Sequence, residues 1–235
     1  MTNPTGRSRA RTRNKLRADA QPTVSLETKL KPSQVRAQLT FEAILVVAGE
    51  LLAEVGFERL STNLVCQRAG LTPPALYRYF PNKYAILSEL GRRLMLAQDQ
   101  AVFDWMNAGG LEADSMDTAI AKNRQIQEKV NQITRDMPGG VWILRAMRAV
   151  PLLQDIRIAS RDIVARNMAD RLLKQYPASS ADELFAATRI TIELMMAATE
   201  MVLEQPDTDE AMVTQEVCRM VYLYYSQFGE TRTAG

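Results

Sequence analysis

From Ser33 to Phe228 the apolar side chains recur three and four residues apart, and no stretch keeps the two-residue alternation of a strand. With that spacing, only helices can gather an apolar face. The pattern predicts helices over residues 33–56, 61–68, 72–79, 82–106, 114–136, 140–150, 152–175, 180–204 and 209–228. Breaks fall at Gly56, Gly70, Pro81, Gly109-Gly110, Pro138-Gly139-Gly140, Pro151, Pro177 and Pro206. The expected fold class is all-α with about nine helices and no internal repeat. On the first helix Leu39, Ala43, Val47, Leu51 and Val55 form one stripe, with Ile44, Ala48 and Leu52 beside it.

At 235 residues, 46% hydrophobic and 24% charged, the chain has the balance of a soluble globular protein. Its longest apolar run, residues 43–48, is far too short to cross a bilayer. There is no histidine, which removes the common general base and every Ser-His-Asp or Cys-His arrangement. No catalytic residue, metal site or cofactor is therefore assigned, and an enzyme is not expected. Cys66 and Cys218 lie 152 positions apart without a CxxC pair, which suits two structural thiols in a reducing cytoplasm.

The net charge of +2 is unevenly spread. Residues 1–40 carry nine Lys/Arg against Asp19 and Glu27, whereas the remaining 195 carry 20 basic and 25 acidic groups. A basic tail on a mildly acidic body calls for a polyanionic partner. Residues 1–31 hold Arg7, Arg9, Arg11, Arg13, Lys15 and Arg17 among polar residues and Pro, so they are expected to be a disordered arm. Two readings of the arm stay open: a solvated tail, or an electrostatic clamp on DNA adjacent to a main contact.

The chemistry concentrates in GFERLSTNLVCQRAGLTPPALYRYFPNKY, residues 56–84. Two short helices joined by Ala69-Gly70-Leu71 have the length and glycine placement of a helix-turn-helix. Ser61 is placed to cap the first and Thr72 the second, with Pro73 at the tolerant first position. Leu64, Val65, Leu71 and Leu76 are expected to fix the angle between them. The turn Thr72-Pro73-Pro74-Ala75 then faces outward, as the end of a helix that reads base edges does. Tyr77, Tyr79 and Lys83 lie on the flank where phosphates run, and Asn82 can cap the next helix.

ILVVAGELLAEVGFERLS followed by QRAGLTPPALYRYFPNKYAIL resembles the N-terminal DNA-binding domain of the TetR/AcrR family of bacterial regulators, over residues 38–90. The resemblance implies backbone contacts from Ser61, Thr62 and Asn63, and base-facing positions at Thr72, Pro73, Pro74, Ala75 and Tyr77. It implies phosphate clamps at Tyr79 and Lys83. Many relatives carry polar residues where this chain has Pro73-Pro74-Ala75, so thymine methyl contacts and DNA shape are expected to weigh more here.

The resemblance further implies three segments: the arm at 1–31, a DNA-binding domain at 32–94, and a ligand-binding and dimerisation domain at 95–235. Leu184, Ala187, Leu194, Ala198, Met201 and Val202, with Val213, Val217, Met220, Val221, Tyr224 and Phe228, form the stripes expected to pair two copies. The expected pocket draws on Phe103, Trp105, Ile126, Val130, Trp142, Met147, Met168, Ile192, Met195 and Met196, adaptable side chains suited to an irregular apolar effector. Arg145, Arg148, Arg189 and Glu193 are its candidate polar contacts. The implied function is a cytoplasmic, nucleoid-associated homodimeric repressor that leaves an inverted-repeat operator when a small hydrophobic effector binds. The alternative is an architectural DNA-binding protein of the same fold without an effector.

Overall fold

The computed structural model describes residues 24–30 and 34–230. Among them are nine helices and no strand: α1 (Val35–Arg59), α2 (Thr62–Ala69), α3 (Pro73–Tyr77), α4 (Lys83–Asn107), α5 (Met116–Asp136), α6 (Gly140–Ala149), α7 (Pro151–Gln175), α8 (Ala181–Glu204) and α9 (Glu210–Glu230). Helix number and order are those read from the spacing. Gly56 has a left-handed φ of 73°, as expected, but the chain continues through one more turn to Arg59.

Local chemistry sets most of the starts. Ser61 Oγ accepts the Leu64 N–H at 3.2 Å, Asn82 Oδ1 the Ala85 N–H at 2.9 Å, and Ser180 closes a capping box with Glu183. Thr72 occupies its N-cap position without a side-chain bond. Pro73 and Pro74 offer no N–H, and the first donor available, Ala75 N–H, goes to the Thr72 carbonyl at 3.0 Å.

On α1 the buried side is Phe41, Ile44, Leu45, Ala48, Leu51 and Leu52, while Leu39 is 67% exposed. The second stripe thus makes the core, and of the first only Leu51 is fully drawn into it. Apolar residues almost encircle this helix, and periodicity alone cannot choose between adjoining stripes.

One core cluster runs from Phe41 on α1 through Val65, Leu76 and Phe80 to Leu94 on α4, Met147 on α6 and Met196 on α8. Phe41 and Phe80 stack at 4.8 Å within it. Where α1 meets the turn before α6 the backbones touch: a Cβ at Gly49 would stand 2.9 Å from the Pro138 carbonyl carbon and closer still to its oxygen. Both thiols are buried and unpaired, and burial pushes Cys218 up to about 12.

Residues 1–23 and 31 of the expected arm, and residues 32–33 after it, lie outside the described residues. Residues 24–30 run extended against the N-terminal helices. Lys29 N–H donates to the Tyr79 carbonyl at 2.7 Å, Asn82 Nδ2 to the Ser25 carbonyl at 3.0 Å, and Arg92 to the Leu26 carbonyl at 3.2 Å. Leu26 packs against the main core. One apolar side chain and three carbonyl or amide bonds tie down this short piece of a segment whose composition reads as disordered.

Candidate DNA interface and effector cavity

The turn between α2 and α3 is built on Gly70, left-handed at φ 64°, with Leu71 N–H reaching back to the Cys66 carbonyl at 2.9 Å. That Schellman closure turns the chain while satisfying the last carbonyls of α2. Val65 and Leu76 are 1% and 0% exposed, and Leu64 and Leu71 pack beside them, as the sequence suggests. With the inner faces occupied, Ser61, Asn63, Thr72, Pro73, Pro74 and Tyr77 are left exposed, and Thr62 and Ala75 partly so. Thr62 Oγ1 and the Tyr77 hydroxyl share a hydrogen bond at 2.9 Å, which fixes the phenol on the outer surface.

Two expected phosphate contacts sit differently from the rest. Tyr79 is 4% exposed, with its ring edge-on to Phe41 at 5.8 Å. Lys83 is half-buried, donates to the Phe57 carbonyl at 3.1 Å and lies 4.3 Å from the Phe57 ring centre. A lysine closing the end of α1 in this way locks α4 against it. Arg78, to which the motif assigns no role, is exposed directly after α3 and has no carboxylate within ion-pair distance among the described residues. Its signal in the sequence is its place between the two tyrosines of LYRYF. Arg68, by contrast, is held in a two-point pair with Glu54 at 2.7 and 2.8 Å.

A mostly apolar cavity of about 170 Å³ lies among α4, α5, α7, α8 and α9. Of the ten residues expected to line it, Trp105, Ile126, Val130, Met168, Ile192, Met195 and Met196 do so. Met147 is fully buried in the main core, Trp142 sits under the Arg145 guanidinium at 4.6 Å, and Phe103 is not part of the wall. The four nominated polar residues lie elsewhere, in ion pairs: Arg145 with Glu204, Arg148 with Glu200, and Arg189 with Asp162 and Glu193.

The polar lining comes instead from Gln98, Asp99, Gln127 and Arg161, with the hydroxyls of Thr191 and Tyr225 bonded to each other at 2.9 Å. Gln127 donates to Thr199 at 2.7 Å, and Gln98 Nε2 to Thr134 at 2.8 Å, leaving Gln98 Oε1 buried without a donor. Asp99 accepts the Ser160 hydroxyl at 2.8 Å, yet burial pushes its carboxyl up to about 6, against the downward pull of Ser160 and Arg161. Arg161, 5% exposed, is pushed down to about 10 by the same burial.

The raised Asp99 carboxyl has a definite consequence for stability. Ionisation costs more in the folded than in the unfolded state, so stability is full below the unfolded value near 3.8, falls as pH rises to about 6, and stays reduced above it. Asp99→Asn keeps an acceptor for Ser160 and removes the charge. It is expected to stabilise the fold by about 1–2 kcal/mol at pH 7.5 in urea unfolding, with the gain fading toward pH 4. An equal gain at both pH values would locate the effect in packing rather than ionisation.

A helix-turn-helix with an exposed outer helix, carried on a larger helical body, defines a class of DNA-binding protein. Residues 44–90 match the family described as Bacterial regulatory proteins, tetR family. The chain is 41% identical over 58 residues to the tetracycline repressor protein class C of Escherichia coli, covering 25% of this chain and 26% of that protein. It is 31% identical over 103 residues to the nucleoid occlusion factor SlmA of Haemophilus ducreyi, covering 44% and 48%. The matched stretches thus span about a quarter and about half of those relatives. A solved TetR-family regulator from Mesorhizobium loti superposes over 83% of this chain and 98% of its own, with a TM-score of 0.62 at 12% identity. In sequence the likeness to the tetR family of bacterial regulatory proteins lies in residues 44–90, the helix-turn-helix segment, while the whole chain shares its fold with the solved regulator.

Proposed function

We propose that the protein is a dimeric, ligand-responsive transcription repressor of the cytoplasm, which binds an inverted-repeat operator and is released by a small, largely apolar effector. The observation that carries this reading is the pairing of an exposed Thr72-Pro73-Pro74-Tyr77 surface with a partly open, mostly apolar cavity one helix layer away. α4 joins the two, since Asn82 and Lys83 anchor its start beside the reading helix and Gln98, Asp99 and Trp105 line the cavity. An effector that favours one arrangement of α4 changes the separation of the two reading helices in a dimer, and can do so only through its differential affinity for the two states. Prolines at the reading end direct recognition to thymine methyls and groove shape.

The second copy is expected on α8 and α9. Leu194, Met201, Met220 and Tyr224 from the expected stripes are exposed, joined by Ile190, Met212 and Leu223. Of the other stripe members, Leu184, Ala187, Ala198, Val202, Val217, Val221 and Phe228 are buried within the chain and Val213 is half-buried. The likeness to a nucleoid occlusion factor favours a second reading, an architectural DNA-binding protein; a cavity left open by the side chains around it favours the sensor.

Selection of bound fragments from a genomic DNA pool separates the two. A single inverted repeat preferred about 10³-fold over other sequence is expected for the regulator. Tyr77→Ala is expected to weaken that site about 10- to 100-fold with unchanged helicity. Broad enrichment without a preferred repeat would put the architectural reading first.

A further inference from the structure

Among the described residues, Arg161 is the buried cation whose charge is least accounted for. Arg145, Arg148, Arg157 and Arg189 each reach a carboxylate within 4 Å. Arg161, buried more deeply than any of them, has neither an ion pair within 4 Å nor a hydrogen bond among the described residues, and its Nε is sealed from solvent without a partner. Glu193 acts on it only at a distance, being held by Arg157, Arg189 and Arg148, and Glu200 is held by Arg148. A guanidinium with five donors is costly to bury without acceptors, and the free space it borders is the cavity. Asp99, on the same wall, already accepts a hydrogen bond from the Ser160 hydroxyl and makes no close pair with Arg161.

We propose that the cavity takes a monocarboxylate, its oxygens bound by the Arg161 guanidinium and its body a single aromatic ring or a medium-length alkyl chain. The inference rests on the effector-binding reading and narrows it to one ligand class. A carboxylate supplies the planar pair of acceptors that a guanidinium fits. A monocarboxylate brings a single negative charge to Arg161, and Asp99 on the same wall, whose carboxyl burial already pushes up, can take a proton in response; a phosphate dianion would bring a larger buried excess. The size follows from the volume: about 170 Å³ is close to the roughly 150 Å³ of an apolar cavity that holds benzene. Trp105, Met195 and Ile126 provide the apolar wall around that body.

Trp105 makes the test direct, because Trp142→Phe leaves it as the sole indole. In full-length protein carrying that change, Trp105 emission is titrated with benzoate and octanoate, and with benzyl alcohol and 1-octanol as neutral counterparts. The acids are expected to bind about tenfold or more tighter than the alcohols. Arg161→Met is expected to abolish the preference while alcohol affinity stays within about threefold. Arg161→Lys is expected to recover part of it, and serves as the folded variant if the methionine chain does not fold. Alcohols binding as well as acids, a preference that survives removal of the guanidinium, or no binding by any of the four would each overturn the assignment. The same titrations with operator DNA present keep the two readings apart. An acid that binds without changing operator affinity removes the effector role and leaves the carboxylate site. An alcohol that releases DNA where the acids do not keeps the sensor and removes the carboxylate.

Discussion

Met220→Glu combined with Leu223→Glu is expected to convert the proposed dimer to a 26.4 kDa monomer in sedimentation and to lower affinity for the proposed operator about 10²- to 10⁴-fold, with helicity retained. Both side chains are 53% exposed in the single chain, so the substitutions leave its own core intact. They project three residues apart along α9, with Tyr224 beside them and Met212 two turns earlier, and α8, packed on α9, also exposes Ile190, Leu194 and Met201. Buried at a two-fold interface, each new carboxylate would face apolar surface and a like charge from the other copy. Loss of affinity follows because a dimer sets two reading helices about 34–36 Å apart in successive major grooves, and the second half-site then binds intramolecularly. Leu96→Glu, at a 68% exposed position on α4, is the matched control and is expected to remain dimeric. A double variant that stays dimeric would place the interface elsewhere.

Gly49→Ala is expected to lower stability by about 2–3 kcal/mol and the melting temperature by about 5–10 °C. Alanine is the better helix former by about 1 kcal/mol, but here that gain is outweighed. The added methyl would overlap the Pro138 carbonyl, a backbone group at the entry to α6. Gly139 cannot yield easily either, because its φ of 72° is left-handed and its own Cβ position is filled by the Gly49 carbonyl. Gly91→Ala provides the contrast. Its methyl would meet Met147 Sδ at 2.8 Å, the end of a flexible side chain that can rotate away, so a loss under about 1 kcal/mol is expected. Equal losses at the two sites in denaturant unfolding would show that the backbone contact is not what limits position 49.

Elements with local causes were legible in the sequence. Gly70 after Ala69, Ser61 three residues before Leu64, and Asn82 three before Ala85 announce a turn and two caps, and each forms. Thr72 misled because a capping oxygen needs a backbone N–H two or three residues on. Pro74 has none, and the Ala75 N–H is taken by the Thr72 carbonyl. The cavity was legible in part of its apolar side chains, since Met and Ile at helical spacing mark buried faces, but the same spacing put Met147 in the main core instead. Its polar members were not: Arg161 sits four residues after Arg157, and nothing in that pair says which one finds Glu193 and which is left facing free space. Tyr79 and Lys83 show the opposite limit. A motif gave them surface roles, whereas packing against Phe41 and Phe57 draws both inward.

The uninterrupted core from Phe41 to Met196 bears on how such a chain can be recombined. A reading head ending near residue 94 is not a cartridge that lifts out cleanly. Severed there, α1 and α4 would bare the faces that pack on α6 and α7, and a foreign body would have to seat Gly49 as closely as the Pro138 backbone does. Chimeras that redirect this protein to a new operator are better made by grafting the few outward residues of α2 and α3, leaving the seam where it lies.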